Sequence, residues 1–261
     1  ITAPGGMLDK KAQKYAELVA EKSGGTVKIE IYPAQQLGNI KEIHQGLSLG
    51  TIDMCQENEG LIEPYDSDYA IIATPFLFTR QELENLPLLT EIRERVLKKA
   101  GIRTLPGQAF RPKYHLFTQR QAYPDPDTLG GVKIRVWQSK AMVDTWTGLG
   151  AVAVPLPWGD VYLSLSQKVV NGLSHNLVQV RDEKFYEQLE YCTYRDFLSQ
   201  MDVTWSSERR WKKLSPAVQG IWSEASLEVS AWFGEFTKGL GDEAKAQMER
   251  AGWEVVQGDP G

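Results

Sequence analysis

Short amphipathic helices alternate with short strands from the start of the chain, and this alternation constrains the fold more than any other feature. Apolar residues recur at helical spacing up to Gly24-Gly25, and residues 27–32 then alternate apolar with polar side chains as a half-buried strand does. In chain order the pattern predicts a helix at 8–22, a strand at 27–32, a helix at 40–49, a strand at 51–55 and a polar loop at 56–60. This order predicts an α/β fold with a parallel sheet and right-handed crossovers.

The alternation continues beyond residue 100 and gives way to long helices near Ser206. The pattern predicts a helix at 80–100, strands at 102–105, 114–118 and 132–137, a helix at 141–149, a strand at 152–155, a helix at 158–168 with a strand after it, and helices at 207–213, 216–238 and 242–251. Ser215 as N-cap with Pro216 at the first helical position is a favourable start for the longest of these helices. We expect that helix to lie across two lobes.

Composition excludes several classes of function. With 34 acidic and 29 basic residues the net charge is -5, so the chain has no general attraction for nucleic acid or an anionic membrane. No apolar stretch is long enough to span a bilayer. The first residues lack the basic and apolar regions of a signal peptide, so we expect that a secretion signal has been removed.

The cysteines and histidines do not form a metal-binding or redox pattern. Cys55 and Cys192 are far apart in sequence, and two buried thiols are the favoured interpretation over a single disulfide. His44, His115 and His175 are too dispersed for a zinc signature. We therefore expect neither a metal nor a cofactor.

Signals for catalysis are weak throughout the chain. It contains no GxSxG elbow, no P-loop, no GxGxxG after a strand and no CxxC pair. Glu57 and Glu59 are close in sequence, but acidic residues in a loop are usually solvated. His175 lacks a convincing nucleophile and acid beside it. The sequence therefore predicts a protein without a catalytic site.

Arg135 is a charged residue inside a strand-like, partly apolar segment, where arginine is uncommon. A guanidinium there needs an anion, and its planar donors match a carboxylate. The pattern alone leaves two interpretations open, a structural salt bridge or the binding of an anionic ligand. Phe110, Trp137 and Trp158 are candidates for an apolar pocket wall, although most aromatic residues of this region are expected in the core.

Several segments, in this order and spacing, resemble the substrate-binding proteins of tripartite ATP-independent periplasmic (TRAP) transporters, of the dicarboxylate-binding type. The similarity covers nearly the whole chain. The segments that carry it are SGGTVKIEIYPAQQLG at 23–38, GTIDM at 50–54, LGGVKIRV at 129–136, LGAVAVP at 149–155, VYLSL at 161–165, VVNG at 169–172 and KFYE at 184–187.

The resemblance implies a two-lobed periplasmic binding protein fold, with a central ligand cleft, crossing strands and a long helix between lobes. The implied lobes are residues 1–111 plus 201–232 and residues 112–200 plus 233–261. The implied function is capture of a small organic or sugar acid outside the cytoplasm, in the periplasm, and its delivery to the TRAP membrane subunits. The protein is expected to be a monomer that closes around its ligand.

The resemblance also implies roles for individual residues. Arg135 occupies the position of the family's carboxylate-binding arginine, and Arg111 is the nearest candidate for a second arginine, with Tyr114 as the alternative at that position. His175 falls where the family commonly has an asparagine, with Asn176 next to it, and Asn171 replaces the family's usual aspartate. Asn58 and Glu59 match the loop through which the first lobe supplies polar contacts.

Two other classes of function remain as alternatives. A binding protein of an ATP-driven transporter would differ in its crossovers between lobes. A periplasmic hydrolase or lyase acting on sugar acids would need a nucleophile or an acid–base pair, and the sequence shows neither.

Overall fold

A computed structural model of the chain describes residues 3–72, 74–198 and 200–258. Its α-helices are α1 Met7–Lys22, α2 Ile40–Leu49, α3 Arg80–Glu84, α4 Pro87–Ala100, α5 Lys140–Gly148, α6 Val161–Ser166, α7 Leu177–Asp182, α8 Glu208–Trp211, α9 Pro216–Phe236 and α10 Leu240–Arg250. Its strands are β1 Met54–Asn58, β2 Ile102–Thr104, β3 Ala109–Phe110, β4 Tyr114–Thr118, β5 Lys133–Val136, β6 Val152–Pro155, β7 Gly172–Asn176, β8 Tyr191–Tyr194, β9 Met201–Ser207 and β10 Glu254–Gln257. The predicted α/β class is confirmed.

The chain forms two compact units, each built from separate parts of the sequence. Unit 1 comprises the described residues within Ile1–Tyr69, Arg80–Phe110 and Met201–Phe236. Unit 2 comprises those within Ala70–Thr79, Arg111–Gln200 and Thr237–Gly261. These units place residues 70–79 with unit 2 and end unit 1 at Phe236 rather than at residue 232. The lobe boundaries inferred from the sequence remain a prediction.

The sheet of unit 1 is organised around β9. Strands β1, β2 and β3 each pair with β9 in antiparallel orientation. The prediction of directly paired parallel strands is therefore wrong for this unit. Strands β1 and β2 do run in the same direction, as helical crossovers require, but β9 lies between them and supplies the hydrogen bonds.

Residues 27–32 do not form the predicted strand. They have no strand assignment in the structure, and β1 extends to Asn58 through residues predicted as a polar loop. The burial of residues 27–33 still alternates between half-buried and exposed, as the sequence pattern requires. Among the described residues they have no neighbouring strand to pair with, which is why the pattern does not become a strand.

The core of unit 1 lies where α1 packs on the long helix α9. Tyr15, Leu18 and Val19 of α1 meet Trp222 and Val229 of α9. The predicted helix at 80–100 is divided into α3 and α4, because Pro87 lacks a backbone N–H and begins the second helix. The other helices lie within a few residues of their predicted bounds.

Unit 2 contains a six-stranded mixed sheet in the order β10-β8-β4-β7-β5-β6. Strands β5, β6 and β7 run parallel, whereas β4 pairs antiparallel with β7 and β8. Gly172 begins β7 where a Cβ atom would lie 2.2 Å from the carbonyl oxygen of Phe117. This glycine lets β7 pass close to β4, which sets the position of the side chains further along β7.

Two further sequence expectations can be compared with the structure. Cys55 in unit 1 and Cys192 in unit 2 are free thiols, so the disulfide alternative is wrong. Within the described ranges, no helix combines the length and the apolar character needed to cross a membrane.

Candidate binding site

Arg135 is held inside the sheet of unit 2, where β5 lies between β6 and β7. The residue is only 3% exposed. Its Nε and Nη2 atoms donate to the backbone carbonyl of Leu156 at 3.1 and 2.8 Å. The guanidinium carbon lies 5.2 Å from the ring centroid of Trp158. The segment Pro155-Leu156-Pro157-Trp158 at the end of β6 thus supplies both an acceptor and an aromatic face to the arginine.

This arginine has no acidic partner in the part of the chain that the structure describes. No carboxylate there lies within 4.0 Å of its nitrogens. Burial lowers the pKa of Arg135 to about 10, and Tyr114 opposes this shift. A guanidinium remains protonated at neutral pH even so. The sheet therefore holds a buried positive charge whose polar contacts are with a neutral carbonyl.

A chain of three polar side chains lies beside this charge. The Tyr114 hydroxyl donates to Oε1 of Gln200 and lies 3.1 Å from Nε2 of His175. The ring centroids of Tyr114 and His175 are 4.5 Å apart. Tyr114 is the first residue of β4 and lies opposite Asn176, the last residue of β7, so the contact forms where the two strands meet the edge of the sheet. All three side chains are buried. The hydrogen-bonded chain fixes the orientation of the His175 ring.

His175 is neutral at physiological pH. Burial lowers its pKa well below the ordinary value, and the charges of Arg111 and Arg135 lower it further. The Nδ1 atom of His175 is buried and has no hydrogen-bond partner among the described residues. A neutral imidazole cannot supply a positive charge to an anion, so it can take part only in hydrogen bonds.

Asn176 and Arg111 meet at Gln179. The Asn176 side chain caps α7 by accepting from the backbone N–H of Gln179 at 2.9 Å, and its Nδ2 donates to Gln179 Oε1 at 2.9 Å. Nη1 of Arg111 donates to the same Gln179 oxygen at 3.4 Å. Arg111 is 3% exposed, so a second guanidinium is buried in this unit. Asn176 therefore has a structural role whatever else it contacts.

Two tryptophans pack against the Tyr114 and His175 rings. The ring of Trp158 lies 4.5 Å from His175 and 5.0 Å from Phe185. Trp137 packs edge-to-face on Tyr114 at 6.4 Å. The indole nitrogens of Trp137 and Trp158 are buried and have no partner within the described residues. These two indole nitrogens and Nδ1 of His175 are buried polar atoms without hydrogen-bond partners among the described residues.

The structure thus groups six of the nine predicted site residues in unit 2, namely Arg111, Arg135, Trp137, Trp158, His175 and Asn176. The other three, Asn58, Glu59 and Phe110, belong to unit 1. Tyr114 and Arg111 were alternatives for one position, and both are buried in unit 2.

The residues in unit 1 already have partners there. The Glu59 carboxylate accepts from Nε and Nη2 of Arg93 at 2.6 and 2.8 Å and from the Tyr69 hydroxyl at 3.0 Å. Asn58 accepts from the backbone N–H of Gly60, and the Phe110 ring lies beneath the guanidinium of Arg80. A ligand contact by Glu59 remains a prediction, and this carboxylate would have to make it while bound to Arg93.

Sequence reasoning missed Gln179 and Gln200. Gln179 could have been found, because a glutamine three residues after an asparagine N-cap is a common pattern at helix starts. Gln200 lies in an irregular segment and carries no local signal. Among the described residues, no group of three potential metal ligands comes together.

A comparison with known protein families shows which family the chain belongs to. The profile of "Bacterial extracellular solute-binding protein, family 7", also called DctP, matches residues 1–260. The chain belongs to this family. It is a family of solute-binding proteins, not of enzymes, and its members act outside the cytoplasm.

Individual relatives agree with this membership. A solute-binding protein of Roseobacter denitrificans is 26% identical over 256 residues, which are 95% of this chain and 77% of the relative. The C4-dicarboxylate-binding periplasmic protein DctP of Rhodobacter capsulatus is 24% identical over 256 residues, which are 97% of this chain and 76% of the relative.

A solved structure shows the same fold. The sugar acid binding protein DctPAm of Advenella mimigardefordensis, in complex with galactonate, superposes with a TM-score of 0.93 at 21% identity. The match covers 99% of this chain and 84% of that chain. The predicted two-lobed periplasmic binding protein fold is therefore confirmed.

Membership in the DctP family also confirms the predicted general function. The chain is an extracytoplasmic solute-binding protein of this family. This finding favours the TRAP interpretation over a binding protein of an ATP-driven transporter.

Proposed function

We propose that unit 2 binds the carboxylate of a hydroxylated organic acid, such as a sugar acid, through Arg135 with Arg111 nearby. The observation that carries this proposal is the Arg135 guanidinium, which is buried among aromatic rings and has no carboxylate partner among the described residues. Leaving such a charge uncompensated costs several kcal/mol. A ligand carboxylate would remove that cost and add charge-assisted hydrogen bonds of about 1.5–3 kcal/mol each.

The neutral state of His175 supports a hydroxylated ligand. A second carboxylate offers acceptors alone, whereas a hydroxyl group both donates and accepts. A hydroxyl can therefore pair with His175 Nδ1 in either tautomer, and it can also accept from the indole N–H groups of Trp137 and Trp158. The galactonate ligand of the Advenella protein is an acid of this kind.

A C4-dicarboxylate is the second candidate, because two buried guanidiniums would balance two carboxylates. The ligand named for the Rhodobacter relative belongs to this class. In this alternative Arg111 and Arg135 would each hold one carboxylate, and His175 would contribute only packing.

The remaining parts of the proposal follow from the family. We place the protein in the periplasm as a monomer that passes its acid to TRAP membrane subunits and catalyses no reaction. Asn58, Glu59 and Phe110 of unit 1 are proposed to contribute to recognition.

The test is a calorimetric titration and a thermal-shift measurement with D-galactonate, succinate and unsubstituted hexanoate. We expect galactonate to raise the melting temperature and to bind more tightly than hexanoate. Arg135→Met should weaken binding at least about 30-fold, as expected when one partner of a buried charge pair is removed. Arg95→Met, an exposed arginine of unit 1, serves as the matched control and should bind like the parent protein.

Three outcomes would change the proposal. Tight binding of succinate without galactonate would favour the dicarboxylate alternative. Equal binding of galactonate and hexanoate would remove the role of hydroxyl groups. Unchanged affinity in Arg135→Met would contradict the carboxylate site itself.

A further inference from the structure

The hydrogen-bonded chain of Gln200, Tyr114 and His175 determines where each of its protons lies. The Tyr114 hydroxyl is within hydrogen-bond distance of both Oε1 of Gln200 and Nε2 of His175. An amide oxygen carries no proton and only accepts, so the single hydroxyl proton of Tyr114 is donated to Gln200. The Tyr114 oxygen therefore faces His175 with a lone pair.

The tautomer of His175 follows from this assignment. A neutral imidazole carries one proton, either on Nε2 or on Nδ1. With the proton on Nε2, this atom donates to Tyr114, and both contacts of the hydroxyl are hydrogen bonds. With the proton on Nδ1, Nε2 would need the Tyr114 proton, and the oxygens of Tyr114 and Gln200 would face each other without a proton between them. A buried contact of that kind loses a hydrogen bond, so the Nε2-protonated form is favoured.

Nδ1 of His175 is then a hydrogen-bond acceptor. The atom is buried and has no hydrogen-bond partner among the described residues. A lone pair at this place pairs with a hydroxyl or an ammonium group of a ligand and repels a carbonyl oxygen. Between the two donors, the buried cations Arg111 and Arg135 of the same unit disfavour an ammonium group. A hydroxyl group is the partner that fits.

Trp158 indicates which part of a ligand lies beside His175. The guanidinium carbon of Arg135 is 5.2 Å from the centroid of the Trp158 ring, and the His175 ring centroid is 4.5 Å from it. The charge of Arg135 also lowers the pKa of His175, in agreement with a short separation. An acid whose carboxylate is bound by Arg135 therefore places its next carbon atoms near His175.

We propose that Gln200, acting through Tyr114, fixes His175 as the Nε2-protonated tautomer, so that the site selects 2-hydroxy acids over the corresponding 2-oxo acids. This inference rests on the proposed function, because it takes Arg135 as the group that binds the ligand carboxylate. The hydroxyl on carbon 2 donates to Nδ1 of His175. A 2-oxo group has no proton to donate and places its own lone pair against Nδ1. Gln200 is a positioning residue, because it acts on the ligand through the other two side chains.

The first measurement is the tautomer of His175, and it needs no ligand. Long-range ¹H–¹⁵N correlation spectra of protein labelled with ¹⁵N-histidine distinguish protonated from unprotonated ring nitrogens at pH 7. The His175 signals are assigned from the spectrum of His175→Asn. We expect Nε2 to be protonated and Nδ1 unprotonated in the parent protein. Gln200→Leu removes the amide acceptor, so the Tyr114 hydroxyl should donate to Nε2 and the His175 proton should move to Nδ1.

The second measurement is the ratio of the affinities for 2-hydroxyhexanoate, tested as each enantiomer, and 2-oxohexanoate. Calorimetric titration should show that the parent protein prefers one enantiomer of the hydroxy acid by at least about tenfold. In Gln200→Leu, Nδ1 becomes a donor, so the preference should reverse in favour of the 2-oxo acid. A merely structural loss would weaken both acids alike. Gln257→Leu, at a glutamine of unit 2 that donates to the backbone carbonyl of Tyr194, is the matched control and should keep the parent tautomer and ratio.

The outcomes separate this inference from the proposed function. A parent protein protonated at Nδ1 of His175, equal affinities for the hydroxy and 2-oxo acids, or binding of neither would overturn it, as would an unchanged tautomer in Gln200→Leu. If that variant does not fold, Tyr114→Phe replaces it and should bring the ratio of affinities close to one. Arg135→Met should abolish binding of both acids and leave the tautomer unchanged. Unchanged affinity there, with the expected tautomer, would contradict the carboxylate site and leave the assignment of the His175 proton standing.

Discussion

The buried charges named here in unit 1 have oppositely charged partners, whereas Arg135 in unit 2 has none among the described residues. In unit 1, Lys11 and Asp202 are both fully buried and lie 3.6 Å apart, and Glu59 is held by Arg93 and Tyr69. In unit 2, Arg135 is just as buried, and its polar contacts among the described residues are with a backbone carbonyl. A pair inside a protein compensates its own desolvation, whereas an arginine without an anion does not. The paired charges of unit 1 stabilise the fold, whereas the charge of Arg135 is suited to binding an anionic ligand.

The largest effect is expected at the Lys11–Asp202 pair. Lys11→Met should lower the free energy of unfolding by about 3–5 kcal/mol, because Asp202 would remain as a buried charge without its partner. Urea denaturation followed by tryptophan fluorescence measures this change. The double variant Lys11→Met/Asp202→Leu should recover most of the loss, and a single variant as stable as the parent would contradict the assignment of this pair to stability.

A somewhat smaller loss is expected at Glu59. Glu59→Gln keeps the shape of the side chain but removes the charge that accepts two hydrogen bonds from Arg93, so about 2 kcal/mol should be lost. Thermal unfolding is a suitable measurement. Asp66→Asn, at an exposed pair with Arg95, is the control and should cost less than about 1 kcal/mol. Similar losses in both variants would show that burial does not set the strength of these pairs.

The third prediction concerns pH. Burial lowers the pKa of His44 to about 4, against the weaker opposing effect of Glu57. The unfolded chain therefore binds a proton near pH 6.5 that the folded chain accepts only near pH 4, so stability falls as the pH decreases through this window. Between pH 7 and pH 5 His44 should contribute a loss of about 2 kcal/mol.

His44→Phe tests this contribution, because the ring packs edge-on against Tyr65 and Trp205 and a phenyl ring can replace it. The difference in unfolding free energy between the two pH values should be smaller in this variant. His115, whose pKa is also lowered to about 4 by burial, remains in both proteins and supplies the residual pH dependence. An unchanged difference would assign the titration to other groups.

The smallest effect on stability is expected at Arg135. Arg135→Met removes a buried charge that has no internal carboxylate partner, so the unligated protein should change by less than about 1 kcal/mol or become more stable. Denaturation without ligand measures this change, with Lys11→Met as the contrasting variant. A loss as large as that of Lys11→Met would show that Arg135 serves folding, and the contrast between the units would disappear.

The sequence predicted helices well and strands unevenly. Helices α1, α2 and α9 have strong apolar periodicity and clear ends at glycine or proline, and the structure places them almost as predicted. Strand β9 was missed although all seven of its residues are buried. Met201, Val203 and Trp205 alternate with polar residues, so a strand could have been predicted here. The burial of Asp202, Thr204 and Ser206 on the other face depends on tertiary packing that no local pattern shows.

A site residue could be predicted from the sequence where a charged side chain occurs in an otherwise apolar segment. Arg135 is such a residue: the residue pattern predicted the strand at 132–137, and the resemblance to a family implied the role of the arginine within it. The partners of Glu59 were not predictable, because Arg93 lies 34 positions away and reaches it only in the folded unit. Gln200 was missed for the same reason, since Tyr114 is 86 positions away.

The contact between Arg135 and Leu156 has a consequence for how this protein can diverge. The acceptor is a main-chain oxygen, which every amino acid carries, so position 156 can change its side chain while the guanidinium keeps its orientation. Selection at this position acts on the path of the backbone, which Pro155 and Pro157 restrict, rather than on the identity of the residue. Substitutions of neighbouring side chains can therefore change which solute is preferred, while the hydrogen bonds from Arg135 to the carbonyl of residue 156 are kept.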